Sequence, residues 1–222
     1  SVNSNVNFFY EETNYMDLLI FNSSDSGTNW NRKSLKYFTN KESRYYTAMS
    51  NNSEILIVFG LPNNNYSLSI VKSTDAGNSW SSSIDIPNTN QASNKEISAI
   101  YEGSNIYIST CKDNNLILFK STDNGNNWNN YIIDSNPDNG GTLKNDTSNL
   151  FITYRNSNNL KFAKSINSGS DWTTHTIDNS GTIEVNPILE KDISNIYICY
   201  SDNSSFKLAK STDNGNSWST KI

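Results

Sequence analysis

Side chains able to do chemistry are few in this chain and do not cluster. Its 222 residues hold three arginines (Arg32, Arg44 and Arg155), one histidine, His175, and two cysteines, Cys111 and Cys199. A guanidinium presents a planar fork to a carboxylate, so Arg44 and Arg155 are candidates for holding an anionic group. Asp138 with Glu96 or Glu184 could form the acid and base pair that glycoside hydrolysis needs. Among 22 acidic residues such pairs also arise by chance, and solvated loop charge is the simpler account. One histidine cannot build a His-rich metal site, and two cysteines are too few for a disulfide framework. No Gly-x-Ser-x-Gly, Walker or Cys/His metal motif occurs. Neither a cofactor nor a metal is therefore expected.

The net charge of -5, with Lys and Arg scattered along the chain, excludes the electrostatic footprint of a nucleic-acid binder. No apolar run approaches the roughly 20 residues that cross a bilayer, so membrane insertion is not expected. A 12% aromatic content with only 18% charged residues argues for a packed fold rather than disorder. The chain begins with Ser and no apolar leader follows, which reads as a mature or excised piece, with an extracellular or cell-surface location expected.

A repeat positions these residues. One octapeptide recurs as SSDSGTNW at 23–30, STDAGNSW at 73–80, STDNGNNW at 121–128, SINSGSDW at 165–172 and STDNGNSW at 211–218. It contains all five Trp, and its leading Ser residues stand 50, 48, 44 and 46 apart, the period of a four-stranded propeller blade. A second landmark, Ser-Asn before alternating apolar residues, precedes it at Ser4-Asn5-Val6, Ser104-Asn105-Ile106, Ser148-Asn149-Leu150 and Ser194-Asn195-Ile196, with Ser53-Glu54-Ile55 as the variant. Runs at 97–101, 106–110, 116–120 and 131–133 are rich in β-formers and bounded by Asn, Asp and Gly.

The pattern predicts four strands per repeat: inner A, then B after Ser-Asn, then C running into the octapeptide, then outer D. The expected fold is all-β, a single propeller domain over 1–222 with repeats at approximately 1–40, 41–90, 91–137, 138–180 and 181–222. It has five blades of four antiparallel strands, the first lacking its inner strand, or is a five-blade piece of a larger ring. The open inner edge of blade one invites strand exchange, so self-association is one expected partnership.

The octapeptide has its own physical logic. Asp25, Asp75, Asp123 and Asp213 can accept N–H groups of their own turn, with Ser23, Ser73, Ser121, Ser165 and Ser211 beside them. Gly27, Gly77, Gly125, Gly169 and Gly215 supply the positive φ of a tight hairpin. Trp30, Trp80, Trp128, Trp172 and Trp218 pin it to the sheet. Asn167 replaces Asp in the fourth copy and should keep the turn with a weaker hydrogen bond. Calcium is disfavoured because alternating carboxylates and a following Glu are missing. Trp128→Ala is expected to cost roughly 3–5 kcal/mol and Asn124→Ala little.

The pattern Ser-x-Asp-x-Gly-x-x-Trp resembles the Asp-box, the bacterial neuraminidase repeat of sialidases, sortilin-type receptors, some glucanases and photosystem assembly factors. The resemblance covers all five repeats, with Ser, Gly and Trp matched in each and Asp in four. It implies a sialidase-like propeller whose ligand site lies on the face opposite the boxes. Sialidases clamp a substrate carboxylate with three arginines, one in an Arg-Ile-Pro motif, and add a Tyr-Glu nucleophile pair and an Asp acid. This chain has no Arg-Ile-Pro, and Arg32, two residues after Trp30, begins strand D at the box face. Arg44 sits where the motif would, beside Tyr45 and Tyr46, without its Ile and Pro.

On the face opposite the boxes, the fifth position of strand B reads Tyr10, Phe59, Thr110, Tyr154 and Tyr200, and the sixth Glu11, Gly60, Cys111, Arg155 and Ser201. An aromatic ring could stack on sugars, although aromatic residues at strand ends more often fill the wedge between blades. The long D–A connections at 85–96 and 134–142 join this rim. Candidate ligand-binding residues are Tyr10, Arg44, Lys95, Asp138, Tyr154, Arg155 and Tyr200. The leading expectation is a non-catalytic propeller binding a glycan or protein there. The alternatives are a truncated or degenerate glycoside hydrolase and a structural module assembling through blade one. Cys111 and Cys199 are expected to be separate buried thiols, and His175 a surface residue of strand D.

Overall fold

A computed structural model describes residues 6–12, 17–23, 25–37, 46–51, 54–61, 67–90, 92, 96–147, 149–183 and 186–221. Arg44, Lys95 and Glu184 lie outside the described residues, as do Ser4, Asn5, Tyr45, Ser53 and Ser148 and the side chains of Tyr10 and Glu11. The described residues form strands and no helix, so none is long and apolar enough to cross a membrane.

Five antiparallel sheets follow the five repeats. Sheet 1 has β1 (Val6–Glu12), β2 (Asp17–Ser23) and β3 (Asn31–Tyr37). Sheet 2 has β4 (Tyr46–Asn51), β5 (Glu54–Leu61), β6 (Ser67–Ser73) and β7 (Ile84–Asp85). Sheet 3 has β8 (Ser98–Glu102), β9 (Asn105–Lys112), β10 (Asn115–Ser121) and β11 (Asn129–Ser135). Sheet 4 has β12 (Leu143–Asp146), β13 (Asn149–Asn156), β14 (Asn159–Ser165) and β15 (Thr173–Asp178). Sheet 5 has β16 (Ile188–Lys191), β17 (Ile196–Ser201), β18 (Phe206–Ser211) and β19 (Ser219–Lys221). Each is a meander, since chain neighbours are sheet neighbours. The chain forms two compact units, Ser1–Asn90 with sheets 1 and 2 and Gln91–Ile222 with sheets 3 to 5.

Second and third strands of sheets 3 and 4 are buried over most of their length because both faces of these sheets are covered. In β13, Leu150, Ile152 and Tyr154 point into a core shared with Tyr107, Leu116 and Leu118 of sheet 3. The intervening Phe151 points the other way, into a core with Leu189, Ile196, Ile198 and Tyr200 of sheet 5. The two-residue period thus puts one strand into two cores, each buried side chain contributing about 1.5–3 kcal/mol. The outermost strands are wet: β15 is exposed over most of its length, His175 included.

A recurrent irregularity shapes the outer strands. The register of the third and fourth strands slips at Leu116/Ile117 and at Leu160/Lys161, leaving Ile133 and Ile177 as the extra residues. Each bulge residue packs on a core while the Asp after it, Asp134 or Asp178, turns toward the following sheet.

All five octapeptides turn between the last two strands of their sheets, and four of them share one set of hydrogen bonds. In the third, Ser121 Oγ donates to Asp123 Oδ1 at 2.8 Å and accepts from Gly125 N at 2.8 Å. Asp123 accepts from Asn127 N at 2.8 Å and from Asn127 Nδ2 at 2.6 Å. Trp128 Nε1 donates to the Gly125 carbonyl at 3.0 Å. The two central residues are both left-handed, Asn124 at φ 66° and Gly125 at φ 87°, which makes the turn type I′. Asn124 also accepts from Tyr101 Oη at 3.1 Å, so Asn124→Ala is not the neutral change the sequence led us to expect.

The fourth box compensates its own substitution. Asn167 Oδ1 takes the turn N–H of Asp171 at 2.9 Å, and Asn167 Nδ2 donates to Asp171 Oδ2 at 2.8 Å. Amide and carboxylate have traded places between positions three and seven, so the bond expected to weaken is replaced by a charge-assisted one of reversed polarity.

Two expectations about cysteine divide. Cys111 is half-buried rather than fully covered, and the desolvation it does undergo pushes its thiol up to about 12. Cys199 is exposed instead, on the face of β17 opposite the buried Ile198 and Tyr200.

Candidate functional site

The ends of β9, β13 and β17 lie away from the boxes, and two kinds of arrangement occupy this rim. The first is a clasp between successive sheets. Tyr154 is 0% exposed and its hydroxyl donates to Asp134 Oδ2 at 2.7 Å. Tyr200, 1% exposed, repeats this with Asp178 Oδ2 at 2.7 Å. Lys161 Nζ lies 3.7 Å from Asp134 in the first clasp, and Lys207 Nζ 3.2 Å from Asp178 in the second. Lys207 also pairs with Asp202 at 2.6 Å.

Burial and the acceptor carboxylates raise both tyrosine hydroxyls well above their usual range, so both stay protonated donors. Burial works to raise Asp178, but hydrogen bonds from Ser180, Tyr200 and Lys207 outweigh it and hold the carboxyl at about 2. Lys207 and the N–H and hydroxyl of Ser204 hold Asp202 well below the carboxylate range. With their rings covered, Tyr154 and Tyr200 fill the wedge between sheets, the alternative weighed against sugar stacking.

The second arrangement is polar and open. Arg155 Nη1 donates to the Ile183 carbonyl at 2.7 Å, tying the end of β13 to the connection before β16. Asp138 N donates to the Arg155 carbonyl at 3.0 Å, and Asp138 Oδ2 accepts from Asn158 N at 2.7 Å. Asn139 pairs with Arg155 in an isolated bridge, and its side chain reaches Asn186 at 3.2 Å. Asp138, Asn158 and Asn186 are exposed around the half-buried Arg155 and Asn139. Gly141 fixes the loop: a Cβ there would stand 1.5 Å from the Thr153 carbonyl oxygen. Glu96 is close by, its Oε2 3.6 Å from where a Cβ on Gly140 would be.

Of the predicted ligand-binding residues, the structure brings Asp138 and Arg155 together and commits Tyr154 and Tyr200 to the clasps. Asp134, Asp178 and Lys207 were not singled out in the sequence. The two aspartates were signalled by the recurring Ile-Asp at 84–85, 133–134 and 177–178. Among the described residues no group of three or more His, Cys, Asp or Glu is arranged to hold a metal ion.

The chain matches no protein-family model and no curated protein. It is similar in structure to the Aleuria aurantia lectin in complex with α-methyl-L-fucoside (TM-score 0.62, 11% identity, covering 98% of this chain and 77% of that one). That lectin is described as a six-bladed β-propeller. This chain has a β-propeller fold. A second similar structure is the SapL1 lectin with α-methyl fucoside, at TM-score 0.63 and 12% identity, covering 98% of this propeller and 75% of that chain. The Niastella koreensis GH74 enzyme gives TM-score 0.67 at 17% identity, but this propeller spans only 36% of its length. The five sheets are the blades, and the clasps and the Arg155 cluster join blades 3, 4 and 5 at the rim away from the boxes.

Proposed function

We propose that this propeller is a non-catalytic, extracellular or cell-surface module that binds a glycan at the rim of blades 3 to 5, around Asp138, Asn139, Arg155, Asn158 and Asn186. The observation that carries the reading is the exposed set of carboxylate and amide groups held by Arg155. Such groups offer both acceptors and donors to sugar hydroxyls. The likeness to two lectins solved with fucosides supports a sugar as the ligand class. Because the clasp tyrosines are covered, hydrogen bonds rather than ring stacking carry recognition. A glycan array followed by calorimetry tests this: binding should be lost in Asp138→Ala and Arg155→Ala and kept in Asn216→Ala at the box face. An array with no retained glycan, or equal binding by all three variants, sinks the reading.

A second reading, glycoside hydrolysis, draws on the GH74 likeness and on Glu96 lying near the Asp138 loop. Turnover of fluorogenic glycosides abolished by Glu96→Gln would replace the first reading with this one.

A further inference from the structure

Three Asn-Gly pairs occur in the chain, Asn124-Gly125, Asn139-Gly140 and Asn214-Gly215. In such a pair the backbone nitrogen of the glycine can attack Cγ of the asparagine, and glycine, with no Cβ, hinders that approach least. The three are identical as dipeptides, so the fold decides which of them reacts.

Two of them are locked inside boxes. Gly125 N donates to Ser121 Oγ and Gly215 N to Ser211 Oγ, each at 2.8 Å. Both members of each pair are left-handed, Asn124 and Gly125 at φ 66° and 87°, Asn214 and Gly215 at 56° and 86°. Asn124 Oδ1 is also held by Tyr101 Oη at 3.1 Å. Reaction at either box needs the turn to open and the serine bond to break first. Asn139-Gly140 stands outside any box, in the loop between β11 and β12, and neither residue is left-handed. Among the described residues no side chain accepts from Gly140 N–H. The side chain of Asn139 is instead set up as an electrophile. With both ends of its amide satisfied, Oδ1 accepts from Arg155 Nη2 at 2.8 Å and Nδ2 donates to the Asp138 carbonyl at 2.8 Å. A guanidinium on that oxygen draws charge from Cγ and stabilises the oxyanion that attack creates.

We propose that Asn139 is a site of self-modification, converting through a cyclic succinimide to aspartate and isoaspartate. Gly140 N, giving its proton to hydroxide, bonds to Asn139 Cγ as the Cγ–Nδ2 bond breaks, and ammonia leaves. Water then opens the ring at one of its two carbonyls, with no change of oxidation state. Opening at Cγ leaves aspartate with the main chain intact. Opening at the main-chain carbonyl leaves isoaspartate, with the chain rerouted through the side chain and one methylene longer. That longer link lies one residue before Gly141, where a Cβ would stand 1.5 Å from the Thr153 carbonyl oxygen. The loop must therefore move, and the bond from Asp138 N to the Arg155 carbonyl goes with it. On the reading of this rim as the glycan site the reaction is a slow clock on binding, whereas the chemistry at Asn139 does not rest on that reading.

Peptide mapping by mass spectrometry, with enzymatic methylation of isoaspartate as the label, tests this on the folded 222-residue chain held in warm, mildly alkaline buffer. Having to break a hydrogen bond first slows each box site about tenfold, so isoaspartate should accumulate at Asn139 faster than at Asn124 or Asn214 by about that factor. The rate should rise with hydroxide concentration, and in denaturant the three pairs should react alike. Asn139→Gln, which would have to close a larger ring, should abolish the signal in its peptide with circular dichroism unchanged. An Asn139 that stays intact in the folded chain, box sites that react as fast as Asn139 there, the same ranking in denaturant, a rate independent of pH, or a signal that survives in Asn139→Gln each overturns the proposal. Glycan binding plays no part in the readout, so failure here and failure of the rim as a binding site are told apart.

Discussion

The two ends of the blades are built on opposite plans. At the box end the same bonds recur five times: leading Ser to Asp or Asn, Ser to Gly N–H, and Trp to Gly carbonyl. At the other rim the clasp recurs but the residues beside it differ. Blade 4 ends β13 in Tyr154-Arg155, blade 5 ends β17 in Tyr200-Ser201, and blade 3 has Thr110-Cys111 at the same place. Uniformity is what a scaffold needs, because boxes 4 and 5 must each fit the blade before them. A rim free of that duty can vary its side chains and hold a ligand.

The largest expected effect falls on the rim and tests whether its loop is as rigid as the boxes. Gly141→Ala would drive a methyl group into the Thr153 carbonyl, and only a backbone shift relieves it. A loss of about 3 kcal/mol or more in denaturant unfolding is expected, with disruption of the Asp138–Arg155 pairing. An Ala variant as stable as the parent would mean that the loop moves freely. Within the box end, the tryptophans are not equal. Trp218 packs edge-on to Phe162 and on a core, so Trp218→Ala should cost about 3 kcal/mol. Trp30, 44% exposed, should cost about 1 kcal/mol by the same measurement. Equal losses would show that the ring matters only to its own turn.

The difference between the ends also decides what could be read from the sequence. The box was legible residue by residue because Ser, Asp, Gly and Trp act within eight positions, and local chemistry leaves a local pattern. The period of the boxes carried the strands, the sheets and the hairpin position. The clasps were not legible in that way, because Tyr154 and Asp134 stand 20 residues apart and meet only when two blades stack. The same holds for the exposure of Cys199, which no local pattern signals. Tyr154 and Tyr200 looked like binding residues because strand-end position is visible in sequence and burial by a neighbouring blade is not.

A smaller effect tests the exchange in box 4. Asn167→Asp would set two carboxylates against each other where Asn167 Nδ2 now meets Asp171 at 2.8 Å. A loss of ~1 kcal/mol is expected, and the double change Asn167→Asp/Asp171→Asn should recover it by restoring the polarity of the other boxes. If the double variant stays as weak as the single one, the two residues are not a pair.

The smallest single effects concern acid, and they set box against rim once more. Asp25, Asp75, Asp123 and Asp213 are held at about 2, chiefly by hydrogen bonds from position seven of each box and from the leading Ser. Their usual value is near 3.8, so the folded state prefers the carboxylate more strongly than the unfolded chain does. That stabilisation is complete above about pH 4 and is lost as pH falls toward 2. Melting temperature should therefore drop over that window. Asp25→Asn should flatten the drop slightly and lower neutral-pH stability only a little, since its amide keeps an acceptor for the Asn29 N–H but not for Asn29 Nδ2. Asp178→Asn at the rim should act in the same window but also lower stability at neutral pH, because Lys207 and Tyr200 both lose a charged partner there. A box variant that behaves like the rim variant at neutral pH would mean that the boxes depend on charge and not on turn geometry.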